Sequence, residues 1–129
     1  MAYQVLGQVM PFLNTTDLSA KQYHLMLVSA ANTVDTCGAA GIAIGILQND
    51  PTANQGASVL TARGVITQLE IGGNVSAANT LESDSAGKGV AFTIDGAGAT
   101  ETWCVAVALE GGVSGDIISV LTVFAPASK

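Results

Sequence analysis

One pattern occurs twice in this sequence, and it indicates paired β-strands. Residues 42–61 read IAIGILQNDPTANQGASVLT, and residues 105–122 read VAVALEGGVSGDIISVLT. In each segment an alternating apolar strand ends in Leu followed by Gln or Glu. A Gly-containing turn follows, and a second strand ends in Val-Leu-Thr. Because a period of two is typical of strands, the repeat predicts one β-hairpin unit that is used twice.

The rest of the chain carries the same kind of signal. Segment 57–71 predicts a strand, a bend at Gly64 and a second strand, since a glycine within a strand pattern marks a bulge or tight bend. Segment 78–94 predicts a further hairpin with its turn at 84–89. Short strands separated by frequent turns predict an all-β fold, a small β-barrel or a β-tulip-like sandwich with a pseudo-repeated hairpin.

The first 16 residues differ from the remainder. They contain no acidic or basic side chain, they hold apolar residues, and Pro11 interrupts them. This segment is either the first strand or an extended arm that lies on a partner. With 129 residues in total, the length fits one domain. We therefore divide the chain into an N-terminal arm, 1–16, and a single β domain, 17–129.

The charge content restricts the partners. Only 11% of residues are charged, against about 25% in an average soluble domain. Ten acids and four bases give a net charge of −6. The bases are spread along the chain, and phosphate binding needs clustered Lys and Arg, so we expect no nucleic acid and no anionic membrane as partner. A large neutral surface favours cover by other subunits.

The N-terminus has neither the charged start nor the apolar core of a signal peptide. No apolar run approaches the roughly 20 residues that span a bilayer. We expect a soluble protein made in the cytoplasm.

The side chains that could carry chemistry form no recognised site. His24 is the only histidine, and no Ser or Cys near it in sequence matches a nucleophile motif. Glu82 and Asp84 would share a face of a strand, where a solvated hairpin explains them better than a cation. Cys37 and Cys104 are interpreted as reduced thiols, with a bridge as the alternative. We expect no enzyme activity, no cofactor and no metal.

Trp103 is the only tryptophan, and it precedes the second copy of the repeat. Core packing is the simpler interpretation. An interface anchor is the alternative, since Trp is enriched at binding hot spots.

Several pieces of the sequence, in their order, resemble the small β-rich capsid decoration proteins of phages, often called structural cement proteins. They span residues 17 to 121: DLSAKQY at 17–23, GILQNDP at 45–51, GASV at 56–59, ARGV at 62–65, SDSAGK at 83–88, AVALE at 106–110 and GDIISVL at 115–121. The resemblance implies a non-enzymatic protein that binds the outside of an assembled icosahedral head, commonly as a trimer.

The partners implied by the resemblance are the major capsid protein and further copies of the chain. The expected location is the outer capsid surface of the virion, after synthesis in the host cytoplasm. The residues we expect to contact the capsid or another subunit are apolar or aromatic: Tyr3, Val5, Met10, Phe12 and Trp103.

Two other functions are alternatives. One is a small β-rich ligand- or carbohydrate-binding module of a virion fibre, which needs an exposed aromatic platform. The other is an enzyme that uses Cys37 or Cys104 with His24.

Overall fold

The protein is built of short strands. The structure is a computed structural model, and it describes residues 9–94 and 100–129. Within those ranges there are ten strands and no helix. The strands are β1 (Val9–Phe12), β2 (Leu25–Ala30), β3 (Thr33–Thr36), β4 (Gly45–Leu47), β5 (Ala57–Leu60), β6 (Ile66–Glu70), β7 (Thr80–Ser83), β8 (Gly89–Phe92), β9 (Glu101–Ala108) and β10 (Ile117–Ser128). The predicted all-β class is confirmed, and accordingly no described helix could cross a membrane.

The strands form two five-stranded sheets with the same internal order. The first sheet runs β1-β5-β4-β2-β3, and the second runs β6-β10-β9-β7-β8. Adding five to each strand number of the first sheet gives the strand order of the second sheet. All of these strand pairs are antiparallel. The chain therefore consists of two consecutive halves that share one topology.

Each sheet also curls in the same way. An isolated parallel bridge joins Leu13 to Thr33 in the first half, and another joins Ile71 to Gly89 in the second. Each bridge connects the chain just after the half's first strand to its third strand, which are the two outer strands of the sheet. A single bridge brings these edges together without closing the sheet. Of the two predicted forms, the sandwich is correct and the closed barrel is not.

The repeated hairpin is the last element of each half. Its first copy forms β4 and β5, and its second copy forms β9 and β10, in different sheets. The registers differ by one residue, because Leu47 pairs with Val59 whereas Val120 pairs with Ala108 rather than Leu109. Side chains alternate along a strand, so this shift changes which leucine faces inward. Leu47 is 0% exposed and Leu109 is 45% exposed.

Two apolar cores hold the halves. The main core takes side chains from both sheets, including Leu25 and Ile46 from the first and Leu81 and Val120 from the second. A second core lies wholly within the first half and consists of Leu18, Met26, Val34, Leu47, Ala57 and Val59. The two halves thus pack together through one core, and the first half also encloses an interior of its own.

The link between the halves follows the predicted pattern of strand, bend and strand. Gly64 lies between β5 and β6 with φ at +71°, a conformation that glycine adopts without a steric penalty. Its N–H donates to the Thr122 carbonyl at 2.9 Å. The bend therefore moves the chain from the first sheet to the second.

The segment expected to be an arm is partly built into the fold. Val9–Phe12 pairs with Ala57–Leu60 as an outer strand of the first sheet. For these residues the first-strand interpretation is correct, because Phe12 packs against the second core. Residues 1–8 lie outside the described part of the chain.

Candidate functional site

His24 is used to join the two halves. It is 2% exposed. Its Nδ1 lies 2.9 Å from the Ala86 carbonyl oxygen, and its Nε2 lies 3.1 Å from Glu70 Oε1. Lys88 Nζ contacts the other Glu70 oxygen at 3.1 Å. Both ring nitrogens are engaged by acceptors, so the histidine has a structural environment and no neighbouring nucleophile in these contacts.

The two acids of the predicted shared strand face, Glu82 and Asp84, are also engaged within the fold. Glu82 accepts a hydrogen bond from Thr102 Oγ1 at 2.6 Å, and Lys129 Nζ lies 2.9 Å from both of its carboxylate oxygens. Asp84 Oδ1 accepts from the N–H groups of Ala86 and Lys88 and so shapes the β7–β8 turn. Across the described residues, no three His, Cys, Asp or Glu side chains are grouped as a metal site requires.

The cysteines are separate buried thiols. Cys37 and Cys104 are both free, so of the two interpretations the reduced one is correct. Burial raises the pKa of each thiol, and this outweighs the hydrogen bonds that act in the opposite direction. Because the thiolate is the reactive form, both side chains are poor nucleophiles in the folded protein.

Trp103 lies at the edge of the main core. It is partly buried against that core, and its Nε1–H donates to the Ala43 carbonyl at 2.9 Å. It pairs across the strands with Pro126 and lines a cavity of about 260 Å³ together with Ile42 and Glu101. Core packing therefore describes one side of the Trp103 ring, which contacts the main core. The other side borders the cavity, where an interface anchor would need open space.

A larger cavity lies beside β1. It measures about 480 Å³ and is lined by Pro11, Phe12, Leu13, Asn32 and Gly56. We call this the β1–β3 groove, because its lining comes from the end of β1 and the start of β3, with Gly56 preceding β5. None of these lining residues is charged. Leu13 is 61% exposed.

The exposed side of β1 continues the apolar surface. Val9 is 50% exposed and Met10 is 44% exposed. Apart from the Leu13 bridge, no described strand pairs with the side of β1 that faces away from β5. An outer strand of this kind presents unpaired backbone groups and apolar side chains with which another chain can pair.

The structure brings together two of the five predicted contact residues. Met10 and Phe12 both lie in β1, Met10 on the surface and Phe12 between the groove and the second core. Trp103 lies in the other sheet, and its cavity shares no lining residue with the groove. Tyr3 and Val5 fall in the part of the chain that the structure does not describe.

Sequence reasoning missed Leu13 and Asn32. Leu13 belongs to the uncharged N-terminal segment, and nothing in the sequence distinguishes it from its neighbours there. Asn32 lies in the two-residue connection between β2 and β3, with φ at +54°. Asn adopts this left-handed conformation more readily than most residues. That preference was an available turn signal, but nothing local indicates that Asn32 lies opposite β1.

The fold, but not the sequence, is similar to a known structure. The head fiber gp8.5 N base of bacteriophage phi29, seen in a crystal structure, superposes with a TM-score of 0.70 at 13% sequence identity. The similarity covers 89% of this chain and 92% of that chain. No protein-family model matches the sequence, and no curated protein matches it either. At this identity the similarity is one of fold.

Proposed function

We propose that this chain is a structural protein of a phage virion that binds the outer surface of the assembled capsid and stabilises it. The observation that carries the proposal is the similarity of fold, over nearly the whole length of both chains, to the head fiber N base of a phage. The order of sequence pieces that resembles capsid decoration proteins supports the same class independently.

The chemistry of the described residues is consistent with a binding role. His24, Glu70, Glu82 and Asp84 are each engaged in contacts that hold elements of the fold together. Three exposed apolar side chains, Val9, Met10 and Leu13, lie instead in β1 or directly after it, beside the β1–β3 groove. Such surfaces contribute by excluding water on contact with a partner.

In this proposal the partners are the major capsid protein and further copies of the chain, assembled as a trimer. A protein that binds the assembled shell but not the free shell subunits stabilises the shell by mass action. Three linked copies add their contacts through effective concentration, so that individually weak contacts suffice. The β1 edge, with Met10, is the surface we assign to these contacts.

The test uses purified protein and undecorated heads of the same phage. We expect saturable binding with a fixed number of copies per head, and a higher temperature of head disruption as sites fill. Met10→Lys, on the exposed side of β1, should weaken binding, while Ile42→Lys, at an exposed residue of the loop between β3 and β4, should not. Absence of binding by the unaltered protein to its own heads would refute the proposal.

A second function is a ligand- or carbohydrate-binding module of a virion fibre. One observation favours it: Trp103 is held by its hydrogen bond to Ala43 and borders a cavity that also has Glu101 in its lining. Aromatic rings beside polar groups are typical of small-molecule sites. A glycan array would decide, because hits that Trp103→Ala abolishes support this function and an empty array removes it.

A further inference from the structure

The two halves differ at one equivalent place, the gap between their outer strands. In the second half the residues just before the bridge partners Ile71 and Gly89 are Glu70 and Lys88, and these form an ion pair at 3.1 Å. This pair spans the gap with opposite charges, and His24 adds a further contact to the same carboxylate. The second half therefore closes its gap with its own side chains.

In the first half the same two positions hold Phe12 and Asn32. They precede the bridge partners Leu13 and Thr33, and both line the β1–β3 groove of about 480 Å³. An aromatic ring and an amide replace the ion pair, so no charged side chain closes this gap. The duplicated topology thus provides an internal comparison, in which one gap is filled and its counterpart is open and apolar.

The composition of the chain next to β1 matches this groove. Residues 1–8 read MAYQVLGQ and contain no charged side chain. Eight residues can extend over at most about 28 Å, which exceeds the length of β1. A segment without charged side chains loses less hydration free energy on entering an uncharged groove than a charged segment would.

The direction of β1 favours a segment from another copy, because the segment of the same copy would have to reverse direction and run back along β1 to reach the groove. Residues 1–8 join β1 at Val9, while the groove lies at the opposite end, at Phe12 and Leu13. These ends are separated by about 10 Å along an extended strand. In a trimer each segment can enter the groove of the next copy, so that every segment and every groove is used once around the ring.

Pro11 restricts how a partner can bind. It has no N–H and therefore removes one donor from the outer edge of β1. A long ladder of backbone hydrogen bonds is disfavoured at this edge, and side chains that enter the groove must supply much of the contact.

We infer that the β1–β3 groove binds residues 1–8 of a second copy of this chain. The inference rests on the self-association included in the proposed function, and it names the surface. Tyr3 and Val5 supply the apolar side chains, and Phe12, Leu13 and Asn32 receive them.

The test is disulfide trapping between two pools of otherwise full-length protein. One pool carries Tyr3→Cys and the other carries Leu13→Cys, with a size tag on one of them. The native Cys37 and Cys104 are buried and do not compete in the folded protein. After subunit exchange and mild oxidation, we expect a mixed disulfide dimer on a non-reducing gel. The matched control pairs Tyr3→Cys with Ile66→Cys, at an exposed residue of the equivalent strand β6, and should give none.

Three outcomes overturn the inference: no mixed dimer, equal trapping in the Ile66 control, or an intramolecular disulfide in a Tyr3→Cys, Leu13→Cys double variant. A second measurement is the mass in solution by light scattering. Leu13→Glu should lower the mass toward that of the monomer, and Ile66→Glu should leave it unchanged. No capsid is present in either measurement, so a failure here is distinguishable from a failure of capsid binding.

Discussion

The two leucines at matching places in the repeated hairpin should respond very differently to truncation. Leu47 is fully buried in the second core, whereas Leu109 is 45% exposed because of the one-residue difference in register. Leu→Ala removes three carbons, which at about 0.8 kcal/mol each is about 2.4 kcal/mol of lost transfer free energy. A cavity left at Leu47 raises this to about 3–4 kcal/mol. At Leu109 we expect at most about 1 kcal/mol, since no enclosed cavity forms.

The assay is urea unfolding of Leu47→Ala, Leu109→Ala and the unaltered protein at one protein concentration. A fixed concentration is needed because self-association adds to the apparent free energy of unfolding. With a slope of about 2 kcal/mol per molar urea, Leu47→Ala should lower the midpoint by about 1.5–2 M and Leu109→Ala by under 0.5 M. Equal losses for the two variants would refute the register difference and the separation of the second core.

Three further predictions concern local packing and the N-terminus. Gly45→Ala should be destabilising, because a Cβ there would meet the Leu60 carbonyl and the Val59 side chain, while Gly38→Ala, with open space, should melt within a few degrees of the unaltered protein. Cys37 should react with a thiol reagent only in denaturant. The pKa of this thiol is raised in the folded protein, so its contribution to the free energy of unfolding is complete below the unfolded pKa of about 8.5. That free energy should decline as pH rises above this value, because the unfolded chain then loses the thiol proton more easily than the folded protein does. In urea titrations at pH 7–10 a Cys37→Ala variant should show a weaker decline. Deleting residues 1–8 should leave far-UV circular dichroism unchanged, whereas deleting residues 1–16 removes β1 and should lower the melting temperature; equal melting curves would show that β1 contributes no stability.

Local sequence signals predicted the class and several elements correctly. The hairpin at β7 and β8 and the bend at Gly64 depend on turn residues that are neighbours in the sequence, so the sequence alone predicts them. The alternation in 105–108 predicted β9, where Ala106 and Ala108 are buried on the small side. The alternating pattern that begins at Ile42 predicts a longer strand than the structure has, since β4 comprises only Gly45–Leu47.

The candidate surface was only partly predictable. The uncharged, apolar N-terminal segment predicts that Met10 and Phe12 contact a partner, and both residues lie on β1. The groove itself needs Asn32 and Gly56 beside them, and these residues are brought there by pairing between strands distant in sequence. The contrast between Phe12 with Asn32 and Glu70 with Lys88 became visible only when both halves were placed in one topology.

The sequence by itself determined that this chain is all-β, poor in charge and built around a hairpin used twice, because period-two alternation and turn residues act over a few neighbours. The tertiary structure decided that the repeat extends to two five-stranded halves, that the hairpins differ in register, and that one gap is closed by an ion pair while the other remains an apolar groove. Strand order and register depend on which long-range pairings bury the most apolar surface together. No local pattern contains that choice, since a shift of one residue exchanges the faces of a strand without changing its sequence.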